Sequence, residues 1–161
     1  MLRKLKTALS LPRISFEVFL YCLPQIPVSG LLLKYLGYKR TSQIYLNRPP
    51  INDTAPPGQD EYELIRNVRQ GFSIATKYSL YAGSCLSRSI LMKALLQKHG
   101  VSTNLRIGVN QPSIGGFSAH SWLESSTGEV ICGEFETGGY VPLDVTNKDP
   151  VWMPSNGTKI Q

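Results

Sequence analysis

"YAGSCLSRSILMKALLQKHG", residues 81 to 100, predicts the helix around which the fold is built. The apolar residues are spaced as on one buried face of a helix. Cys85 lies at the start of this predicted helix. Ser84 or Gly83 can open the helix, and Gly100 can close it as a left-handed cap. A thiol in a first turn lies beside backbone N–H groups without intrahelical partners, at the positive end of the helix dipole. The thiolate is favoured there over the thiol, so the position suits a nucleophile.

Alternating apolar residues after this helix predict strands. The alternation runs through "TNLRIGV" (residues 103 to 109) and returns in "FSAHSWLE" (117 to 124) and "EVICGEF" (129 to 135). The "SSTG" between the last two has the composition of a hairpin turn. Helices followed by an antiparallel sheet predict an α+β fold. A cysteine at a helix start followed by a histidine in a later strand is the order of transglutaminase-like and papain-like thiol enzymes.

The part before the cysteine helix predicts a basic helical segment and a linker. We expect residues 1 to 46 to form two or three short helices with an apolar stripe; the prolines that separate them are Pro12, Pro24 and Pro27, and the stripe consists of Leu31, Leu32, Tyr35 and Leu36. "NRPPINDTAPPGQD", residues 47 to 60, is a predicted linker because its prolines and glycine cannot hold regular structure. Residues 61 to 161 form the predicted main domain, whose first helix runs from the N-cap Asp60 to about residue 81.

Composition and charge suit one globular domain. The 161 residues, 42% of them hydrophobic, are enough for one core. Lys and Arg outnumber Asp and Glu by 17 to 11, a balance that can favour an acidic peptide, nucleic acid or an anionic membrane surface. Seven of the 17 basic residues lie in the first 40 positions, so the rest of the chain is close to neutral. We therefore expect no nucleic-acid partner.

Cysteine usage and the N-terminal sequence predict a cytoplasmic protein. Cys22, Cys85 and Cys132 are odd in number and widely spaced, which argues against a disulfide framework. The N-terminal apolar run is interrupted by proline and charge, and no small-residue cleavage pattern follows, so we expect no signal peptide. No stretch reaches the roughly 18 to 20 uninterrupted apolar residues of a membrane-spanning helix.

Two histidines are available as a general base. His99 lies about 14 residues, or about 21 Å, along the helix from Cys85, which is too far to share a proton, and it is predicted to cap the helix. Strand alternation places His120 on one face with Trp122 and Glu124. If the cysteine helix packs by its N-terminus against that face, Cys85 and His120 can meet.

The predicted hairpin also supplies a candidate that would orient the imidazole. A turn centred near Thr127 places Glu134 opposite His120, with Cys132 and Gly133 as neighbours. A shift of one residue in the pairing would move Glu134 to the other face of the sheet.

Other interpretations of these residues stay open. Single cysteines and histidines are often core residues, and a non-catalytic adaptor would keep Cys85 and His120 for packing only. Thiolate and imidazole also bind zinc, and Cys132 could join them across the hairpin. Because no close pair of ligands accompanies these residues, we expect no metal and no cofactor.

Three segments together resemble a known family. "CLSRSILMKALLQKHGVSTNLRIGV" (residues 85 to 109), "FSAHSWLE" (117 to 124) and "EVICGEFETGGYVPL" (129 to 143) are similar to the leader-peptidase half of the lasso peptide biosynthesis B protein, a transglutaminase-like cysteine protease. The resemblance covers about 60 residues. It depends on the combination of Cys-Leu-x-Arg-Ser with Ala-His-x-Trp-x-Glu.

The resemblance implies a task and partners. The family removes the leader from a ribosomally made precursor peptide, after which a separate ATP-dependent, asparagine-synthetase-like cyclase joins the freed amine to an acidic side chain. Cys85 would be the nucleophile and His120 the general base, in a cysteine protease domain of residues 61 to 161. A separate leader-recognition protein would present the precursor. The basic N-terminal helices could hold that partner, the precursor or the membrane-bound export machinery, or they could form only a solvated face that covers the core.

The sequence departs from the family at the third catalytic position. The family usually has an aspartate at the end of the strand after the histidine, but the corresponding position here is about Cys132 or Gly133. Glu134, a backbone carbonyl or the more distant Asp144 could replace it. Another thiol acyl-transfer reaction on the same scaffold is the nearest enzymatic alternative, because a cysteine and a histidine alone do not specify hydrolysis.

Overall fold

Helices precede a small antiparallel sheet in the computed structural model, which describes residues 12–47, 61–81, 83–110, 118–133 and 140–143. The helices in these ranges are α1 (Arg13–Leu46), α2 (Glu61–Tyr78) and α3 (Cys85–Lys98). The strands are β1 (Thr103–Asn110), β2 (Ser118–Ser125), β3 (Val130–Cys132) and β4 (Val141–Leu143). The spatial order is β3-β2-β1-β4, and all neighbouring strands are antiparallel. The α+β prediction is confirmed.

All three helices and the sheet contribute to one buried core. Apolar residues recur every three or four positions along α2, so one stripe of that helix faces inward. The core side chains include Val18, Cys22 and Ile26 from α1, Leu64, Val68 and Phe72 from α2, Leu91, Leu95 and Leu96 from α3, and Leu123 and Ile131 from the sheet. The N-terminal helix therefore shares its core with the predicted main domain. The predicted domain boundaries stay predictions, and the predicted linker of residues 48 to 60 lies outside the described residues.

The first helix is longer than predicted and turns at a different place. Pro24 and Pro27 lie inside α1, so the predicted breaks at these two prolines are wrong. A proline removes one backbone hydrogen bond, but the buried residues around these two hold the helix against its neighbours. The non-helical residue is Gly37, with φ 73° and ψ 177°. Tyr45 donates a hydrogen bond of 3.0 Å to Gln25, which a straight helix would hold about 30 Å away, so the chain folds back at Gly37.

The predicted apolar stripe of α1 lies on the surface rather than in the core. Leu31 is 51% exposed and Tyr35 is 74% exposed. The buried face instead includes the small residues Ser15, Ser29 and Gly30, which permit close approach of the neighbouring segments. An 18-residue window of α1 has a mean hydropathy of 1.5, and 28% of this window is buried. By length and composition alone this helix could cross a membrane, although its sequence contains no uninterrupted apolar run of that length.

The β2–β3 hairpin contains a bulge that shifts its register. Glu124 pairs with Val130, as a turn centred on Thr127 requires, but Leu123 pairs with Cys132. The predicted register is therefore correct at Glu124 but wrong by one residue from Leu123 onward. Two residues of β3 oppose one residue of β2 there, so both Ile131 and Cys132 lie at the core.

Candidate active site

Cys85 is the first residue of α3, and a serine caps that helix start. The Ser84 side chain accepts a hydrogen bond of 3.2 Å from the Ser87 N–H, and its carbonyl accepts one of 3.1 Å from the Arg88 N–H. The prediction that Ser84 opens the helix is confirmed. The N–H groups of Cys85 and Leu86 precede the first intrahelical hydrogen bond and so point out of the helix end.

The other two cysteines are placed differently. Cys22 is fully buried, and burial raises the pKa of its thiol to about 12, so it stays protonated near neutral pH. Cys132 is partly buried at the end of β3, and Cys85 is also partly buried. None of the three is in a disulfide.

His120 lies in β2 among aromatic rings and is only 5% exposed. Its ring stacks on Trp122 with centroids 6.3 Å apart, and the Tyr140 ring lies 5.4 Å away. Its Nε2 atom is 3.3 Å from the carbonyl oxygen of Gly133. A carbonyl only accepts hydrogen bonds, so this contact is a hydrogen bond when Nε2 carries a proton. The backbone-carbonyl alternative for the third catalytic member therefore has a contact within the described residues, and it stays a prediction.

Hydrogen bonds with Glu124 fix the position of Trp122, the ring that stacks on His120. The indole Nε1 donates to Glu124 at 2.7 Å, and Arg106 from β1 donates to the same carboxylate at 2.9 Å. Partial burial opposes ionisation of Glu124, but these two hydrogen bonds and the Arg106 charge outweigh it, so the pKa of this carboxyl lies below its ordinary value. The shared contacts confirm that His120, Trp122 and Glu124 lie on one face of β2.

Cys85 and His120 line one pocket of about 460 Å³. We expected Cys85 and His120 to meet if the cysteine helix packed by its N-terminus against the His120 face of the sheet. The core that α3 shares contains Leu123, whose position alternates with that of His120. Cys85 and His120 both line the pocket, together with Cys132 and Gly133. The complete described lining is Arg69, Phe72, Ser73, Thr76, Lys77, Cys85, Arg88, Ser89, Met92, His120, Ser121, Ile131, Cys132 and Gly133.

Comparison with known protein families matches residues 28–144 to the transglutaminase-like superfamily. The match covers more than two thirds of the chain and includes α3 and the pocket. The chain belongs to the transglutaminase-like superfamily. Searches of curated proteins and of solved structures found no match.

The transglutaminase-like superfamily includes cysteine proteases and acyltransferases. Both kinds of enzyme attack an acyl carbon with a thiolate and pass through a thioester. The helix-start cysteine and the strand histidine of this transglutaminase-like domain are the residue types that such a reaction needs. The family match begins inside α1, at residue 28, so the second half of that helix belongs to the family region.

Some predicted site residues lie outside the described part of this transglutaminase-like domain. Glu134 and Asp144 are among them, so their roles stay predictions. Cys132 does line the pocket beside Cys85 and His120. Within the described ranges, however, no group of three histidine, cysteine or acidic side chains is placed to hold a metal ion.

The structure adds functional candidates that the sequence analysis missed. Arg69 and Lys77 reach the pocket from α2, Arg88 reaches it from α3, and Ser121 reaches it from β2. Arg88 carried a local signal, since it lies three residues after Cys85 and residues three apart share a helix face. The α2 residues carried none, because only tertiary packing brings α2 beside α3.

Proposed function

We propose that this protein is a cysteine peptidase that removes the leader from a ribosomally made precursor peptide of the lasso type. One observation carries the proposal: in a transglutaminase-like chain, Cys85 at a capped helix start and His120 line the same pocket. The Cys-Leu-x-Arg-Ser and Ala-His-x-Trp-x-Glu motifs, which contain these two residues, support the choice of a leader peptidase within the superfamily.

The mechanism follows from the two side chains. The His120 imidazole takes the proton of the Cys85 thiol, and the thiolate attacks the scissile carbonyl carbon. The protonated imidazole then gives its proton to the leaving amine, which releases the core peptide and leaves the leader as a thioester on Cys85. His120 then takes a proton from water, and the hydroxide attacks the thioester carbon. The C–S bond breaks, which releases the leader with a free carboxylate, and the imidazolium returns its proton to the Cys85 thiolate.

The backbone at the start of α3 would stabilise the tetrahedral intermediate. The Cys85 N–H points out of the helix end, where the helix dipole also favours negative charge. One such donor to an oxyanion contributes about 3 kcal/mol to a barrier of this kind. The Gly133 carbonyl would stabilise the imidazolium that forms during the reaction, because it accepts the Nε2 proton.

The proposal includes a separate leader-recognition protein that presents the precursor. The exposed apolar side chains of α1 support such a contact, since Leu31 and Tyr35 are uncovered in the isolated chain. A downstream ATP-dependent cyclase would consume the freed core peptide. Cytoplasmic location and association with a membrane-bound exporter are further parts of this proposal.

Mass spectrometry of a lasso-type precursor, incubated with this protein and its leader-recognition partner, tests the function. We expect the wild type to release the leader with a free carboxylate, and Cys85→Ala and His120→Ala to lower the rate by about a thousandfold or more. Cys132→Ser and His99→Gln serve as matched controls, because Cys132 shares the pocket and His99 lies at the far end of α3. Both controls should retain cleavage.

Each other result points elsewhere. Cleavage that persists in Cys85→Ala would exclude the thioester mechanism. A leader product joined to an added amine, rather than to water, would identify an acyltransferase of the same superfamily. An intact precursor after incubation with the wild type and its partner would favour the non-catalytic adaptor.

A further inference from the structure

The pocket that contains Cys85 is lined by positive charge. Arg69 and Lys77 contribute from α2, and Arg88 contributes from α3. No acidic side chain is among the lining residues that the structure describes. Charges of one sign in a partly enclosed pocket reinforce one another, so the ligand that the pocket favours carries negative charge.

Arg88 has donor capacity that the protein itself does not use. Its Nε atom is buried and has no hydrogen-bond partner in the described part of the chain. It lies three residues after Cys85 and therefore on the same face of α3. A guanidinium group has only donors, arranged in a planar fork, and a buried donor without an acceptor is costly. A ligand with acceptor oxygens would satisfy it.

The Ser121 hydroxyl is a second buried polar group that lacks a hydrogen-bond partner within the described residues. The residue is 2% exposed, lines the pocket, and its Oγ has no hydrogen-bond partner among the described residues. Its position is fixed from behind, because Ser89 donates a hydrogen bond of 3.3 Å to the Ser121 carbonyl. The hydroxyl adds a second unsatisfied polar group to the lining of the pocket that Arg88 also lines.

We propose that Arg88, together with Ser121, binds a side-chain carboxylate of the substrate, so that the enzyme prefers an aspartate or glutamate next to the scissile bond. The inference rests on the proposed function, in which Cys85 attacks a peptide. Carboxylate is the planar acceptor that fits a guanidinium fork with two parallel hydrogen bonds. The remaining cations of the pocket add attraction at longer range.

The proposal can be tested on the free protein by alkylation of Cys85 with iodoacetate and with iodoacetamide. Both reagents transfer a two-carbon group to the thiolate and release iodide, but only iodoacetate carries a carboxylate. The ratio of their rate constants cancels the fraction of thiolate and isolates the effect of reagent charge. Because Cys132 lines the same pocket, labelling is measured on separate proteolytic peptides by mass spectrometry.

We expect the iodoacetate-to-iodoacetamide ratio at Cys85 to fall about fivefold in Arg88→Gln and by a smaller factor in Arg88→Lys, which keeps the charge but not the planar fork. Arg66→Gln is the matched control, because it removes the same charge from an α2 side chain that is 65% exposed and ion-paired with Glu63. It should leave the ratio unchanged. Added salt should lower the wild-type ratio by screening. A thermal melt of each variant verifies folding.

Blocked tripeptides then separate the two sources of carboxylate. A tripeptide with one aspartate and an amidated C-terminus should slow alkylation of Cys85, whereas its asparagine version should not. Protection only by a tripeptide with a free C-terminal carboxylate would overturn the side-chain proposal.

The outcomes separate this inference from the proposed function. An equal reagent ratio in wild type and Arg88→Gln would overturn the carboxylate subsite while leaving the peptidase intact. Slow labelling of Cys85 by both reagents would overturn the thiol enzyme and the subsite together.

Discussion

At the scale of single residues, a backbone carbonyl contacts the histidine of the pocket. The Gly133 oxygen contacts His120 Nε2 at 3.3 Å, and the chain at Gly133 has φ 92°. This left-handed conformation is accessible to glycine at little cost. A Cβ at this position would lie 2.9 Å from Trp122 Cβ and 3.2 Å from His120 Nε2. The glycine thus brings its carbonyl to the ring without a side chain that would displace it.

Gly133→Ala tests this arrangement. We expect the rate of leader cleavage to fall about tenfold or more. The added methyl group would displace the Trp122 side chain and the His120 imidazole that stacks on Trp122. Gly128→Ala is the matched control, since Gly128 has φ 86° but no atom within 4 Å of the added Cβ. Both variants should lose about 1 kcal/mol of stability from the positive φ. Equal activity of the two variants would show that the Gly133 contact does not position His120.

At the scale of elements, hydrogen bonds stabilise the start of α3, where Cys85 lies, and the part of β2 that contains His120. The Ser84 cap defines where α3 begins and therefore where Cys85 lies, a contribution of about 1 kcal/mol to helix stability. In the sheet, Glu124 links its own strand to Arg106 of β1 and supports Trp122 beneath the histidine. The Arg106–Glu124 contact between β1 and β2 therefore also supports the position of Trp122, which stacks on His120.

Glu124 makes the stability of the sheet depend on pH. Its folded-state pKa lies below the ordinary 4.5, so its contribution is complete above about pH 4.5 and is lost as the pH falls through the folded-state pKa. We expect Glu124→Gln to lower the free energy of unfolding at pH 7 by about 1 kcal/mol, a value reduced by the partial exposure of Arg106. The difference from wild type should shrink toward pH 3.

Urea denaturation at pH 7, 5 and 3.5 measures this effect. Glu129→Gln is the control, because Glu129 is an exposed residue of the hairpin turn. A gap between wild type and Glu124→Gln that is the same at all three pH values would contradict a role for the ionised carboxylate.

At the scale of the whole molecule, α1 is part of the core that supports the site. Its buried side chains contact α2, and α2 in turn carries Arg69 and Lys77 to the pocket. The fold of α1 at Gly37 returns the chain toward α3, where Gln97 donates a hydrogen bond of 3.2 Å to the Leu46 carbonyl. The N-terminal helix therefore braces both helices that line the pocket.

Two neighbouring positions in α1 separate its buried role from its exposed one. Ile26 is 0% exposed and Val28 is 42% exposed. We expect Ile26→Ala to cost about 2 to 4 kcal/mol by leaving a cavity, and Val28→Ala to stay within about 0.5 kcal/mol of wild type. Chemical denaturation of the full chain measures both. Equal stability of the two variants would show that α1 is independent of the domain.

The local chemistry of the sequence was sufficient for the elements that carry the reactive residues. The cap at Ser84, the glycine at position 100 and the alternation in β1 and β2 predicted α3, β1 and β2 to within a few residues. Hydrogen bonds to near neighbours and periodic burial decide such features, and both are visible in a short window. The placement of Cys85 at a helix start and of His120 on the face of Trp122 followed from them.

Contacts between distant segments decided the rest. Packing against α2 and α3 keeps Pro24 and Pro27 inside α1, and the bulge in β3 moves the pairing by one residue. The Gly133 carbonyl and the cations of α2 reach the site only through this assembly. The sequence by itself determined that Cys85 begins a helix and that His120 lies in a strand, because local backbone geometry decides such placements. Tertiary structure decided what surrounds them, because burial and charge in a pocket are sums over segments far apart in the chain.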